Sequence, residues 1–155
     1  MKGLGTALIT PFLENGEVDY QALSTLVEHQ ISGGTDYLVL LGTTSEVPTL
    51  THAEQDTIVA HVVKQVAGRI PLVMGIGGNS TRAVVERINS VRETLEKHFA
   101  AILSVTPYYN RPQQEGLFQH FCAVAQASPV PVILYNVPKR TGVNMLPETT
   151  RRIYD

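Results

Sequence analysis

Tyr37-Leu38-Val39-Leu40-Leu41-Gly42-Thr43-Thr44-Ser45-Glu46 is an apolar run that stops at a glycine followed at once by two adjacent hydroxyls. An unbroken apolar run of this length reads as a strand buried on both faces, the kind found in parallel sheets covered by helices. A glycine after such a strand lets the backbone approach a ligand closely, and the threonines offer side-chain and main-chain donors to an anion. An ordinary strand-to-helix loop uses the same residues, so the remainder of the chain has to decide.

Outward from this stretch, one unit repeats. Leu4 to Thr10 is apolar and ends at Pro11; Asp19 then offers an N-cap, and Tyr20, Leu23, Leu26, Val27 and Ile31 fall on one helical face up to Gly33-Gly34. The run Asp36 to Leu41 is the second strand, and its helix starts at Thr51, which has capping-box spacing with Glu54 and carries Ile58, Val59, Val62, Val63 and Val66 to a stop at Gly68. Pro71 to Gly75 is a third strand, followed by the loop Gly77-Gly78-Asn79 and one helix with Val84, Ile88, Val91 and Leu95. Ala100 to Val105 leads through Thr106-Pro107-Tyr108-Tyr109-Asn110-Arg111-Pro112 to a helix with Leu117, Phe118, Phe121 and Val124. Val130 to Tyr135 leads through the loop Asn136 to Gly142 to a last helix with Pro147 at its first position. Strands recur about every thirty residues, the length of one βα unit, which fits both a doubly wound open sheet and a (β/α)8 barrel.

The chain of 155 residues, 43% hydrophobic, is long enough for one core and has no composition break that would divide it. A net charge of -2 and a pI near 6.2, with basic residues scattered, argue against a nucleic-acid surface and for a small-molecule partner. No charged-then-apolar leader and no apolar run of about 18 residues is present, so the expectation is a soluble cytoplasmic protein. Cys122, the only cysteine, excludes an intrachain disulfide and reads as buried packing. Neither a metal nor a cofactor is expected. His29, His52, His61, His98 and His120 lie too far apart for a local metal cluster, and Gly75-Ile76-Gly77-Gly78 lacks the third glycine of a dinucleotide fingerprint.

Glycine, hydroxyl, tyrosine and arginine residues gather just after the strand ends, at Thr43-Thr44, Gly77 to Asn79, Tyr108-Tyr109, Tyr135-Asn136 and Arg140. Active sites of barrels are assembled from such carboxyl-end loops, several strands each giving a residue. Five loops contributing to one mouth favour a barrel. The fold class is therefore α/β, the first five βα units of a TIM (β/α)8 barrel that ends before the barrel can close, as one partial domain over 1–155.

The motifs Gly42-Thr43-Thr44-x-Glu46, Thr106-Pro107-Tyr108-Tyr109-Asn110-Arg111-Pro112 and Leu134-Tyr135-Asn136-Val137-Pro138-x-Arg140-Thr141-Gly142 resemble the dihydrodipicolinate synthases, also called 4-hydroxy-tetrahydrodipicolinate synthases. The resemblance runs in order from about Leu4 to the last residue. It implies a (β/α)8 barrel that condenses pyruvate with L-aspartate 4-semialdehyde through a lysine Schiff base, on the route to diaminopimelate and lysine. It also implies that Thr43, Tyr135 and Tyr109 form a proton relay, Tyr109 reaching into a neighbouring subunit's site, so that a homo-oligomer, a dimer of dimers, is expected. Hydroxyls donate and accept, and a chain of them can pass a proton without creating a buried charge. By the same resemblance Thr44 holds the pyruvate carboxylate, Arg140 receives the carboxylate of the semialdehyde, and His52, Asn79 and Tyr108 match a lysine-effector site.

Three departures accompany the resemblance. Ser45 stands where the family's turn has glycine, and a side chain there is expected to crowd the carboxylate pocket or to demand a different backbone angle. At the effector site, Ala83 and Gln55 replace a glutamate and a histidine, which makes weak or absent feedback by lysine the expectation. The Schiff-base lysine has no counterpart: the lysines are Lys2, Lys64, Lys97 and Lys139, and Lys139 reads as a surface residue of a polar loop. These 155 residues are thus expected to be the front portion of a synthase, inactive alone. Another pyruvate-dependent aldolase of the same superfamily and a non-catalytic half-barrel interaction module are the alternatives.

Overall fold

The computed structural model describes residues 1–155, which divide into two compact units, Met1–Gly75 and Ile76–Asp155. In the first, strands β1 (Gly5–Ala7), β2 (Tyr37–Leu40) and β3 (Leu72–Gly75) lie parallel in that order, with Thr6 opposite Leu38 and Val39 opposite Val73. Parallel neighbours need crossover connections, and helices α1 (Tyr20–Ser32) and α2 (His52–Val66) supply them. Both helices start where local chemistry dictates. The Asp19 carboxylate accepts the Ala22 N–H at 2.9 Å. At α2 the Thr51 hydroxyl accepts the Glu54 N–H at 3.3 Å while the Glu54 carboxylate accepts the Thr51 N–H at 2.8 Å, the reciprocal capping box expected from the spacing. Leu23 and Val27 of α1, and Ile58, Val59, Val62 and Val66 of α2, are buried, and the two helices pack against each other.

The second unit holds the parallel pair β4 (Ala101–Val105) and β5 (Val132–Tyr135), with Ile102 opposite Val132 and Val105 opposite Tyr135. Its helices are α3 (Thr81–Ser90), α4 (Arg92–His98), α5 (Gln114–Ala127), the single turn α6 (Pro138–Thr141) and α7 (Pro147–Tyr154). Helix α5 packs against α3 and α7. Leu117, Phe121 and Met145 form a buried cluster that Leu134, Val143 and Ile153 cover. On the outer side Arg152 lies 4.2 Å above the Phe118 ring and pairs with Glu115 at 2.9 Å.

Several expectations change. The strands are shorter than their apolar runs: only Gly5–Ala7 of the stretch from Leu4 to Thr10 is in a ladder. The third helix is two, because Val91 leaves helical geometry (φ -113°, ψ 14°) and its N–H is shared between the Arg87 and Ile88 carbonyls. Val84, Ile88, Val91 and Leu95 are all buried, so the apolar stripe continues across a break it does not record. Helix α2 ends on Ala67, itself in the left-handed region at φ 49°, one residue before the expected Gly68. The loop after β5 contains a helical turn, and Cys122 is only partly buried. No helix is long and apolar enough to cross a membrane.

The first unit also carries a charged clasp between its two helices. Both guanidinium nitrogens of Arg69 reach the Glu28 carboxylate, at 2.9 and 2.5 Å, and Gln65 donates to it as well. The Arg69 hydrogen bond, followed by that of Gln65, lowers the Glu28 carboxyl from its ordinary 4.5 to about 2. A carboxylate depressed in the folded state stabilises above its unfolded pKa, and that contribution fades as pH falls toward the folded value. Urea titrations should therefore show Glu28→Gln less stable than the parent at neutral pH, with the difference vanishing between pH 4.5 and about 2.

Candidate active site

The first unit presents the turn that follows β2. Leu41 enters the left-handed region at φ 54° and Gly42 is extended; Thr43–Ser45 then form one 3-10 turn, closed by Glu46 at φ 55°. A non-glycine residue in that region costs about 1–2 kcal/mol, so two of them imply strong tertiary constraint. Part of the constraint is visible at the end of β3. A Cβ on Gly75 would overlap the Leu41 carbonyl, so the reversal at Leu41 requires glycine beside it. Gly42, by contrast, has room for a side chain, its nearest neighbour being Val39 Cγ1 at 3.7 Å from a Cβ position. Within the protein, the close backbone approach at this turn is made by Gly75.

Ser45, expected to crowd the carboxylate pocket or to demand a different backbone angle, is buried and hydrogen-bonded within the protein. Its φ is not positive, and its side chain turns away from solvent into the protein, 3% exposed. Its hydroxyl donates to the Leu8 carbonyl at 2.7 Å, and the buried Thr10 hydroxyl donates to the Ser45 carbonyl at 2.8 Å. Thr43 and Thr44 are exposed, with hydroxyls that make no hydrogen bond within the protein. His52 is exposed at the first position of α2. Gln55 is buried, and its amide donates to the Leu50 carbonyl at 3.1 Å, so it is committed to its own helix end.

In the second unit the segment after β4 makes two left-handed excursions, Tyr109 at φ 69° and Arg111 at φ 49°. It is docked onto the segment after β5 by the Tyr109 N–H, which donates to the Thr141 carbonyl at 3.3 Å. Helix α6 ends on Gly142 at φ 74°, where a Cβ would come within 3.0 Å of Arg111 Nε. Between these two segments is an open concavity of about 720 Å³ lined by Tyr108, Tyr109, Arg111, Lys139, Arg140, Thr141 and Gly142. Its lining holds three cationic groups and no carboxylate, a composition that suits a small anion.

The structure therefore brings Tyr108, Tyr109 and Arg140 to one concavity and Thr43 and Thr44 to one turn. Tyr109 projects almost wholly into solvent, 88% exposed. Tyr135, the last residue of β5, is half-buried and is not part of the concavity's lining. The Asn110 amide donates to the Asn79 carbonyl at 2.8 Å, so Asn79 is tied to the tyrosine-bearing segment. Asn136 is structural, bridging to Asn144 and to the Met145 backbone. Sequence reasoning gave no role to Arg111 and treated Lys139 as an ordinary surface charge; their shared position beside Arg140 needed the fold. Elsewhere in the second unit, Ser104 Oγ, Thr106 Oγ1 and His120 Nε2 are buried without partners, and burial pushes the His120 imidazole below its ordinary pKa. The other ring nitrogen of His120 lies 2.8 Å from the Thr81 hydroxyl.

Exposed hydroxyls after β2 in the first unit and a cation-lined concavity in the second are features suited to anionic small molecules. The sequence model of the Dihydrodipicolinate synthetase family matches residues 1–155, and the chain belongs to that family. It is 58% identical over 153 residues to the 4-hydroxy-tetrahydrodipicolinate synthase of Parabacteroides distasonis, a match covering 99% of this chain and 50% of that protein. The dihydrodipicolinate synthase of Acinetobacter baumannii, solved in complex with pyruvate, superposes with a TM-score of 0.93 at 42% identity, covering 99% of this chain and 52% of that one. The enzyme from Cyanidioschyzon merolae, solved with lysine bound, gives 0.89 at 39% identity, over 98% and 51%. The chain thus spans about half the length of the curated relatives it matches.

The constraint at the end of β3 is directly testable. Gly75→Ala should lower the urea midpoint by an amount equivalent to about 1–3 kcal/mol, because the added methyl meets backbone rather than a side chain that can rotate away.

Proposed function

We propose that this chain supplies five βα units of a (β/α)8 barrel with 4-hydroxy-tetrahydrodipicolinate synthase activity, which condenses pyruvate with L-aspartate 4-semialdehyde through a lysine Schiff base. The observation that carries the reading is the family match over the whole chain, in which hydroxyl and guanidinium groups at strand ends are exposed and unpartnered. In this reading Thr44, with N–H groups of its turn, holds the pyruvate carboxylate. When an amine adds to the pyruvate ketone, the oxygen must gain protons and leave as water. Tyr135 supplies them, and Thr43 and Tyr109 connect Tyr135 to solvent as a hydroxyl relay. Arg140 pairs with the carboxylate of the semialdehyde through its planar fork.

The amine is assigned to none of Lys2, Lys64, Lys97 and Lys139, so these residues alone are inactive in this proposal. A nucleophilic lysine is held in a pocket that shields it from water, whereas Lys139 is exposed on the segment after β5. The exposure of Tyr109 supports its insertion into a neighbouring subunit of a dimer of dimers, and a cytoplasmic location accords with the absence of a membrane-crossing helix. His52, Asn79 and Tyr108 are proposed to take a lysine effector. Ala83 offers no carboxylate there and the Gln55 amide is already engaged, so inhibition by lysine should be weak, measurable as substantial residual activity at saturating lysine.

Three measurements test the core of this reading. Treatment of the 155-residue polypeptide with pyruvate and borohydride should leave its mass unchanged, and a stable adduct on Lys139 would overturn the assignment of the amine. In the full-length synthase, Tyr109→Phe should lower kcat about a hundredfold or more with the fold intact. Arg140→Ala should raise KM for the semialdehyde about tenfold or more, with the pyruvate KM little changed.

A further inference from the structure

We infer that Thr10 and Ser45 are positioning residues for the Thr43-Thr44 turn, fixing the two exposed hydroxyls by tying the turn to the segment that follows β1. The inference rests on the assignment of Thr44 to the pyruvate carboxylate. Thr43 and Thr44 are themselves exposed, and their side chains make no hydrogen bond in the protein, so no side-chain bond of their own sets their position. The backbone on either side is in the left-handed region, at Leu41 and at Glu46. A short segment bracketed by two such residues keeps its shape only if something outside it holds it.

Ser45 is the residue of the turn that is held. Its hydroxyl donates to the Leu8 carbonyl at 2.7 Å, and its own carbonyl accepts from the Thr10 hydroxyl at 2.8 Å. Leu8, Thr10 and Ser45 are all buried, with exposures of 3%, 5% and 3%. Water is thereby kept from substituting for either bond, and removing one hydroxyl leaves a buried carbonyl without a donor. Two bonds of opposite direction on one residue fix orientation as well as distance. Within the turn the Ser45 N–H donates to Gly42 and the Glu46 N–H to Thr43, so a fixed Ser45 transmits its position to both threonines.

The test uses Thr10→Val and Ser45→Ala, each close in shape to the residue replaced, together with Thr10→Ser, which keeps the hydroxyl, and Thr44→Val as reference. In the full-length enzyme each of the first two should raise KM for pyruvate about three- to tenfold, with the semialdehyde KM unchanged and kcat changed less. Thr10→Ser should restore the parent value. Amide exchange at Ser45 and Glu46 should quicken in Thr10→Val and Ser45→Ala while core amides of β2 keep their protection. Unaltered exchange in both variants overturns the anchoring. Faster exchange with an unaltered pyruvate KM, where Thr44→Val does raise it, overturns the positioning role. If Thr44→Val itself leaves the pyruvate KM unchanged, the carboxylate assignment fails, while faster exchange still supports the anchoring. Equal losses in kcat and in both KM values, with loss of β2 protection, would mark the two hydroxyls as merely structural and overturn the proposal.

Discussion

The meeting of the Leu41 carbonyl with the backbone of Gly75 governs the most reactive part of the first unit. Because β2 and β3 run parallel in register, with Leu40 opposite Met74, the residues just beyond them must pass each other at the carboxyl end of the pair. Leu41 does so by entering the left-handed region, and Gly75 permits it by having no Cβ. That reversal ends the strand and starts the turn that carries Thr43 and Thr44. The hydroxyls lie on the surface as a consequence of strand geometry, and the buried ties of Ser45 and Thr10 then hold the turn in place.

The second unit solves a related problem with cations. Arg111, Lys139 and Arg140 surround one concavity with no carboxylate in its lining, an arrangement that repels itself unless solvent or an anion intervenes. The tyrosine-bearing segment after β4 and the helical turn after β5 are joined by the backbone bond from Tyr109 to Thr141, and the Arg111 side chain lies close over Gly142. A concavity whose walls are joined in this way needs little ordering before a small anion binds. The Acinetobacter baumannii dihydrodipicolinate synthase was solved in complex with one such compound, pyruvate.

Local chemistry was the part most easily read. The Asp19 cap, the Thr51 and Glu54 capping box and the entry of α7 at Pro147 depend on residues within one turn of each other, so sequence spacing specifies them. The break at Val91 escaped because buried Val84, Ile88, Val91 and Leu95 keep helical spacing on both sides of one non-helical residue. The bonds of Ser45 were not legible for a different reason. Its neighbours in sequence are the exposed threonines, whereas its hydrogen-bond partners, Leu8 and Thr10, are more than thirty positions away.

The sequence by itself determined the alternation of strands and helices, the family, and which side chains can do acid–base and anion chemistry, since these follow from residue type and short-range spacing. Tertiary structure alone decided that Gly75 is the glycine the turn depends on, that Ser45 faces inward, and that Arg111 and Lys139 share a concavity with Arg140. The physical reason is one of range. Propensity and capping act over a few residues, whereas steric exclusion and buried hydrogen bonds act between segments that only the folded chain brings together.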